Sequence, residues 1–250
     1  TAYVCMERDG LGGFELVGLD ASETAATDWL MRHRGQWDLA IFDLLLKEGS
    51  GRRELVAITA AMPDSTGVLP FGERFPGRLF DVGIAEQHAV TSAAGMAMGG
   101  LRPVVAVYST FLTRAIDQVN LDVGLHAQPV VFVLDRAGIT GDDGASHHGV
   151  LDMVLLSKVP DMTVFAPSNY AEVGQMLHDA LDLCTEGPAA IRFAKTMPPE
   201  GETTTGSGLS ARKVRAGSEI CLIGVGKMLG AASTAADRLA DQGHGGTVWD

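Results

Sequence analysis

The chain has 250 residues, 46% hydrophobic and 20% charged; at roughly 150 residues per domain this is more than one domain and less than two, and it excludes a disordered polymer. A formal net charge of −12 argues against a broad nucleic-acid or anionic-membrane surface, either of which needs clustered Lys and Arg, while leaving room for a small anionic substrate held by a few placed arginines. No apolar run approaches the ~18–20 residues of a membrane helix, and Cys5, Cys184 and Cys221 are widely separated without a CxxC, so no disulfide framework or zinc knuckle is expected and a reducing cytoplasm is the simplest location.

Residues 1–50 are acidic and irregular and carry no chemical motif, so they read as a connector. Within them Val17-Gly18-Leu19-Asp20 suggests a short extended piece, and Ser22 or Thr24 could cap a following helix. From Glu54 the pattern changes. Leu55–Ile58, Val104–Tyr108, Val130–Leu134, Thr163–Phe165 and Ala189–Ile191 are short apolar runs, continuous rather than alternating, as expected of strands buried on both faces of a parallel sheet. Helical patterns separate them. Ala85–Met98 is rich in Ala and Met and ends at Gly99-Gly100. Leu112, Ile116, Val119 and Val123 share a helix face, and Asn169 with Glu172 three residues later forms a plausible cap for a helix running to Leu183. Alternating strands and helices predict a doubly wound, mostly parallel α/β domain over residues 51–197. Residues 198–217 open on a Pro-, Gly- and Thr-rich stretch and read as a linker. In 218–250, strand Ile220–Ile223, a helix with Leu229, Ala232, Ala236 and Leu239 on one face, and strand Thr247–Trp249 form one βαβ unit, the start of an incomplete second α/β domain. The chain begins at Thr1 without Met and stops at Trp249-Asp250, so both ends read as cut.

Three places could carry chemistry. Glu86 lies in the first turn of the Ala-rich helix. The ordinary reading is favourable charge at the positive end of a helix dipole; the sharper one is a buried acid that exchanges a proton with a bound heterocycle. Asp135–Gly149 follows a strand at its carboxyl end, where open parallel sheets bind ligands, and packs Arg, Asp, His and several Gly into one loop. Arg192 interrupts an apolar strand pattern; it is either an edge residue facing water or a bidentate phosphate ligand. Gly141-Asp142-Asp143 with Asn169 only loosely mimics a GDG…N magnesium–diphosphate motif, and the Asn is better used as a cap. Gly144–Gly149 lacks the GxSxG spacing of a serine hydrolase, and His147 and His148 have no further ligands at zinc spacing.

The runs AITAAM (57–62), RLFDVGIAEQHAVTSAAGMAMGG (78–100), PVVAVYSTFLTRAIDQV (103–119) and VLDRAGITGDDGASHHG (133–149) are long and joined at one family's spacing. Over about residues 56–193 the chain resembles the pyrimidine-binding domain of the 1-deoxy-D-xylulose-5-phosphate synthase family, thiamine-diphosphate-dependent relatives of transketolase; the last 33 residues resemble the start of that family's C-terminal domain. The resemblance implies a transferase that condenses pyruvate with D-glyceraldehyde 3-phosphate, losing CO2 and feeding isoprenoid, thiamine and pyridoxal biosynthesis. It implies that Glu86 hydrogen-bonds the cofactor's aminopyrimidine and favours its imino tautomer, that Phe111 stacks on that ring with Tyr108 nearby, and that Arg114 meets a substrate acid group. Asp143 and His147 would line the reaction centre and handle protons, and Arg136 and Arg192 would hold the substrate phosphate. Thiamine diphosphate is the implied cofactor, with Mg2+ held by a diphosphate-binding domain, in cis or on a separate subunit, and not by this chain. Alone the chain is expected to be inactive; the implied assembly is a homodimer without nucleic acid or membrane. This sequence departs from the family at His148, where Asn or Gln is usual, at the added acid Asp142, and at Ala194 and Thr196, where Pro and Gly are usual. The alternatives are the C-terminal subunit of a split transketolase, a 2-oxo-acid dehydrogenase β-type subunit, or a non-catalytic remnant that only dimerises.

Overall fold

The computed structural model describes residues 3–8, 14–20, 52–195 and 206–250. The helix anticipated from Ser22 or Thr24, the Pro-rich stretch 198–205 and Thr196 lie outside these residues. Near the N-terminus, strands β1 (Tyr3–Arg8) and β2 (Phe14–Asp20) pair antiparallel, and β2 contains the extended piece anticipated at 17–20.

The apolar runs become strands β3 (Leu55–Thr59), β5 (Arg102–Tyr108), β6 (Val131–Asp135), β7 (Thr163–Phe165) and β8 (Ala189–Arg192). With β4 (Leu79–Asp81), which no apolar run announces, they form one six-stranded parallel sheet in the order β4-β3-β5-β6-β8-β7. All residues of β3 and β6 are buried, which explains why these runs do not alternate: both faces are covered. Val105, Val107, Phe132 and Leu134 point to one face, where helix α2 (Glu86–Met98) supplies Ala89, Val90, Ala93, Ala94 and Ala97. Small side chains there let the helix approach the sheet closely. Val119 and Val123, from helical turns running through 109–124, and Leu156, from α3 (Asp152–Leu156), complete that layer. Val104, Ala106, Val131 and Val133 point to the other face, against Phe71 of α1 (Leu69–Arg74) and Leu177, Ala180 and Leu181 of α4 (Tyr170–Leu183). Asn169 caps α4, accepting from the Glu172 amide at 3.2 Å, and the Glu172 carboxylate reaches back to the Ser168 amide at 2.8 Å.

β8 lies between β6 and β7, so Arg192 is on an interior strand. The reading of Arg192 as an edge residue facing water is therefore corrected. The reason is the chain's path: β7 takes the edge and β8 returns inside it. The sheet's other reversal comes where β4 lies on one side of β3 and β5 on the other. Such a switch point opens a crevice at the carboxyl ends of the strands.

The stretch read as linker contains β9 (Lys213–Arg215), which pairs antiparallel with β11 (Gly246–Trp249). β11 pairs in parallel with β10 (Ile220–Ile223), and α5 (Met228–Asp241) connects them, packing Leu229 and Ala236 on Val248. No helix among the described residues is long and apolar enough to cross a membrane.

Candidate active site

The predicted residues converge at the carboxyl end of the six-stranded sheet. Glu86 is the first residue of α2, and its side chain is 3% exposed. Asp81, at the end of β4, shapes the turn before it: one carboxylate oxygen accepts from the amides of Ala61 at 2.7 Å and Gly83 at 3.0 Å. Among the described residues the Glu86 carboxylate accepts one hydrogen bond, from Arg114 Nη1 at 2.8 Å.

Tyr108 ends β5, and Phe111 and Arg114 follow at intervals of three on the helical turns after it; ring contacts join the three side chains. The rings of Tyr108 and Phe111 stack at 5.7 Å with an interplanar angle of 15°. The Arg114 guanidinium lies 4.7 Å from the Phe111 ring centroid. His147 packs edge-on to Phe111 at 5.4 Å and near Tyr108 at 6.2 Å, with its Nδ1 3.1 Å from Ser146 Oγ.

Arg136 covers the other side of this cluster, 3.9 Å from the Tyr108 ring centroid. It pairs with Asp135 and donates through Nε to Asp143 at 3.0 Å. Its φ of +60° is unusual for a residue with a Cβ, and the Asp135 carboxylate accepts the Arg136 amide. Burial pushes the Asp135 carboxyl up, partly offset by Arg136. Lys195 donates to the second oxygen of Asp143 at 2.7 Å. This hydrogen bond, with help from Arg136, holds the Asp143 carboxyl below the usual range, and the same bond raises Lys195. Asp142 lies 3.7 Å from Lys195 and is largely exposed. His148 faces inward to its own loop: its Nδ1 accepts the Thr140 amide at 3.2 Å and sits 2.9 Å from Thr140 Oγ1. At this position the chain thus has a loop-stabilising group.

Gly138 and Gly149 exchange backbone hydrogen bonds of 2.8 and 2.9 Å and close the loop that carries Asp143 and His147. A Cβ on Gly149 would stand 2.3 Å from Ser109 Oγ and 2.6 Å from the Arg136 carbonyl oxygen. Gly149→Ala should therefore destabilise the protein by about 2–3 kcal/mol, read as a lower melting temperature.

Arg192 stands apart from the aromatic cluster in its bonding, donating through Nε to Asp152 at 2.8 Å. Asp81, Asp135, Asp152 and Lys195 were not singled out from the sequence. Asp135 and Lys195 had a usable signal, being charged residues at the carboxyl ends of apolar strands.

The residues fit a flat aminopyrimidine. The Arg114 guanidinium is itself a planar donor, and it makes the two contacts such a ring needs, a hydrogen bond to a buried carboxylate and contact with an aromatic face. Among the described residues no cluster of three or more His, Cys, Asp or Glu could hold a metal ion.

Comparisons with known proteins bear on the family and the fold. The family "Transketolase, pyrimidine binding domain" matches residues 34–200, beginning upstream of residue 51. The 1-deoxy-D-xylulose-5-phosphate synthase of Mycobacterium avium (strain 104) is 53% identical over 223 residues, covering 86% of this chain and 35% of the relative. The synthase of Mycobacterium tuberculosis (strain ATCC 25177 / H37Ra) is 49% identical over 226 residues, covering 86% and 34%. The chain thus spans about a third of the length of the curated relatives it matches. A structure described as a split gene transketolase, inactive beta4 tetramer, superposes with a TM-score of 0.74 at 26% identity, covering 86% of this chain and 70% of that one. Transketolase from Campylobacter jejuni shares the fold, with a TM-score of 0.74 at 17% identity over 85% of this chain and 34% of that one. By its sheet, by the match over residues 34–200 and by its close synthase relatives, this chain belongs to the transketolase pyrimidine-binding-domain family.

Proposed function

We propose that the chain provides the pyrimidine-binding side of the thiamine diphosphate site of a 1-deoxy-D-xylulose-5-phosphate synthase. One observation carries the reading: Glu86, Arg114, Phe111, Tyr108, Arg136, Asp143 and Lys195 form a continuous series of contacts along the carboxyl end of the sheet. In the reaction, the bond between the carboxylate and carbonyl carbons of pyruvate breaks, CO2 leaves, and a bond forms between the carbonyl carbon and the aldehyde carbon of glyceraldehyde 3-phosphate. Thiamine diphosphate, when bound, supplies the electron sink that holds the pair left by CO2.

The chain's own residues bind, orient and move protons. Glu86 hydrogen-bonds the pyrimidine and exchanges a proton with it; burial concentrates that interaction. Phe111 stacks on the ring, with Tyr108 backing it. Arg114 is half exposed, so it can leave Glu86 to the heterocycle and turn to the pyruvate carboxylate. His147 is the proton carrier beside the aromatic pair. Asp143, held between Lys195 and Arg136, is a weak base and serves to fix those two cations. Arg136 and Arg192 bind the substrate phosphate. Mg2+ and the diphosphate are held by another domain.

Residues 51–197 act as the pyrimidine-binding domain, 1–50 and 198–217 as connectors, and 218–250 as the start of a transketolase-type C-terminal domain. The protein works in the cytoplasm, where Cys184 and Cys221 remain free thiols. It is a homodimer.

A second reading, that the diphosphate-binding domain is a separate subunit, is favoured by the split transketolase structure, 70% of which this chain covers. An adjoining reading frame with a GDG…N motif would support it. Product formation tests the function itself: assembled with such a domain, the chain should convert pyruvate and glyceraldehyde 3-phosphate to 1-deoxy-D-xylulose 5-phosphate, and alone it should form none.

A further inference from the structure

Arg192 ends β8, beside Leu134 of β6, in a row where its neighbour Ile191 is 1% exposed. A cation in such a place needs a partner, and its partner comes from far along the chain. Asp152, the first residue of α3, is 4% exposed. Both of its carboxylate oxygens are engaged: one accepts the Met153 amide at 2.8 Å and the other accepts Arg192 Nε at 2.8 Å. Burying this pair costs desolvation that the single Arg192–Asp152 hydrogen bond offsets only in part, so it is weak evidence for a purely stabilising role.

What the pair provides is direction. A carboxylate bound end-on at Nε fixes the plane of the guanidinium and leaves Nη1 and Nη2 pointing away from it. Among the described residues neither terminal nitrogen has a hydrogen-bond acceptor. Arg114, Arg136 and Lys195, the other cations described at this sheet end, are tied to Glu86, Asp135 and Asp143. Arg192 therefore offers the planar fork suited to two oxygens of one oxyanion.

We infer that Asp152 is the positioning residue for Arg192: it holds the guanidinium by Nε so that the terminal nitrogens are presented to the substrate phosphate. This rests on the reading of Arg192 as the phosphate ligand. Asp152 itself touches no substrate.

The test uses the assembled enzyme, with Asp152→Ala, Asp152→Asn, Arg192→Ala and the double variant Asp152→Ala/Arg192→Ala. Asp152→Ala should raise the KM for glyceraldehyde 3-phosphate about tenfold, with kcat and the pyruvate KM within about twofold of wild type. Asp152→Asn, whose amide oxygen can still accept from Nε, should recover most of that loss. The double variant should be no worse than Arg192→Ala, because the two residues act as one unit. Unphosphorylated D-glyceraldehyde should react equally with all four variants. In NMR spectra the Arg192 Nε proton should be protected from exchange in wild type and lose protection in Asp152→Ala.

Three results would overturn the inference: an unchanged aldehyde KM in a folded Asp152→Ala protein whose Nε proton has lost protection, equal losses for both substrates, or additive losses in the double variant. An unchanged KM in Arg192→Ala would instead overturn the phosphate assignment on which the inference stands.

Discussion

Replacing Glu86 by alanine is expected to abolish turnover in the assembled enzyme, lowering kcat by about 10³-fold or more. Glu86 is buried at the first turn of α2, and among the described residues its carboxylate accepts one hydrogen bond, from a half-exposed arginine. A carboxylate so placed can serve both as partner to a ring nitrogen and as proton carrier, and alanine can do neither. Glu86→Gln separates the two roles: it keeps a hydrogen-bonding group and removes the acid, so its kcat should fall nearly as far. The measurement is steady-state product formation at saturating cofactor, with melting temperature as control for folding. Near-normal turnover by either variant would remove Glu86 from the proton path.

The second large effect concerns Arg192. Its alanine variant should raise the KM for glyceraldehyde 3-phosphate by about 30- to 100-fold, the worth of a charge-assisted hydrogen-bonded pair of roughly 2–3 kcal/mol. The pyruvate KM should change little. Substitution also strands the buried Asp152, so the variant should lose stability, and assays belong well below its melting temperature. Equal changes in both KM values would count against phosphate binding at this residue.

Much of this fold was legible in the sequence because burial on both faces leaves a strong local mark. Leu55–Ile58 and Val131–Leu134 are apolar throughout for that reason. β4 was not legible: three residues, Leu79, Phe80 and Asp81, are half-buried or exposed and pair on one side only. β9 escaped likewise, since Lys213-Val214-Arg215 is short and charged and becomes a strand only by pairing with β11. The interior position of Arg192 is a property of strand order, which no local pattern reports.

The candidate site divides in the same way. Glu86, Phe111, Arg136 and Asp143 stood out through the motif runs that the family shares. Phe111 and Arg114, three residues apart on helical turns, could have been read as one face from their spacing alone. The bond between Asp152 and Arg192 joins residues 40 positions apart and has no sequence signal. The hold of Lys195 on Asp143, across 52 positions, is equally silent, and it changes what Asp143 can do. The Asp143 carboxylate accepts from both Arg136 and Lys195.

The central claim is that this sheet end forms half of a pyruvate-condensing thiamine diphosphate site. Its most direct test is to combine the chain with a GDG…N-bearing diphosphate-binding domain and supply thiamine diphosphate, Mg2+, glyceraldehyde 3-phosphate and pyruvate labelled at the carbonyl carbon. The account predicts labelled 1-deoxy-D-xylulose 5-phosphate with an equal amount of CO2. Release of CO2 without the labelled sugar phosphate, or no turnover by a folded complex that binds the cofactor, would contradict it.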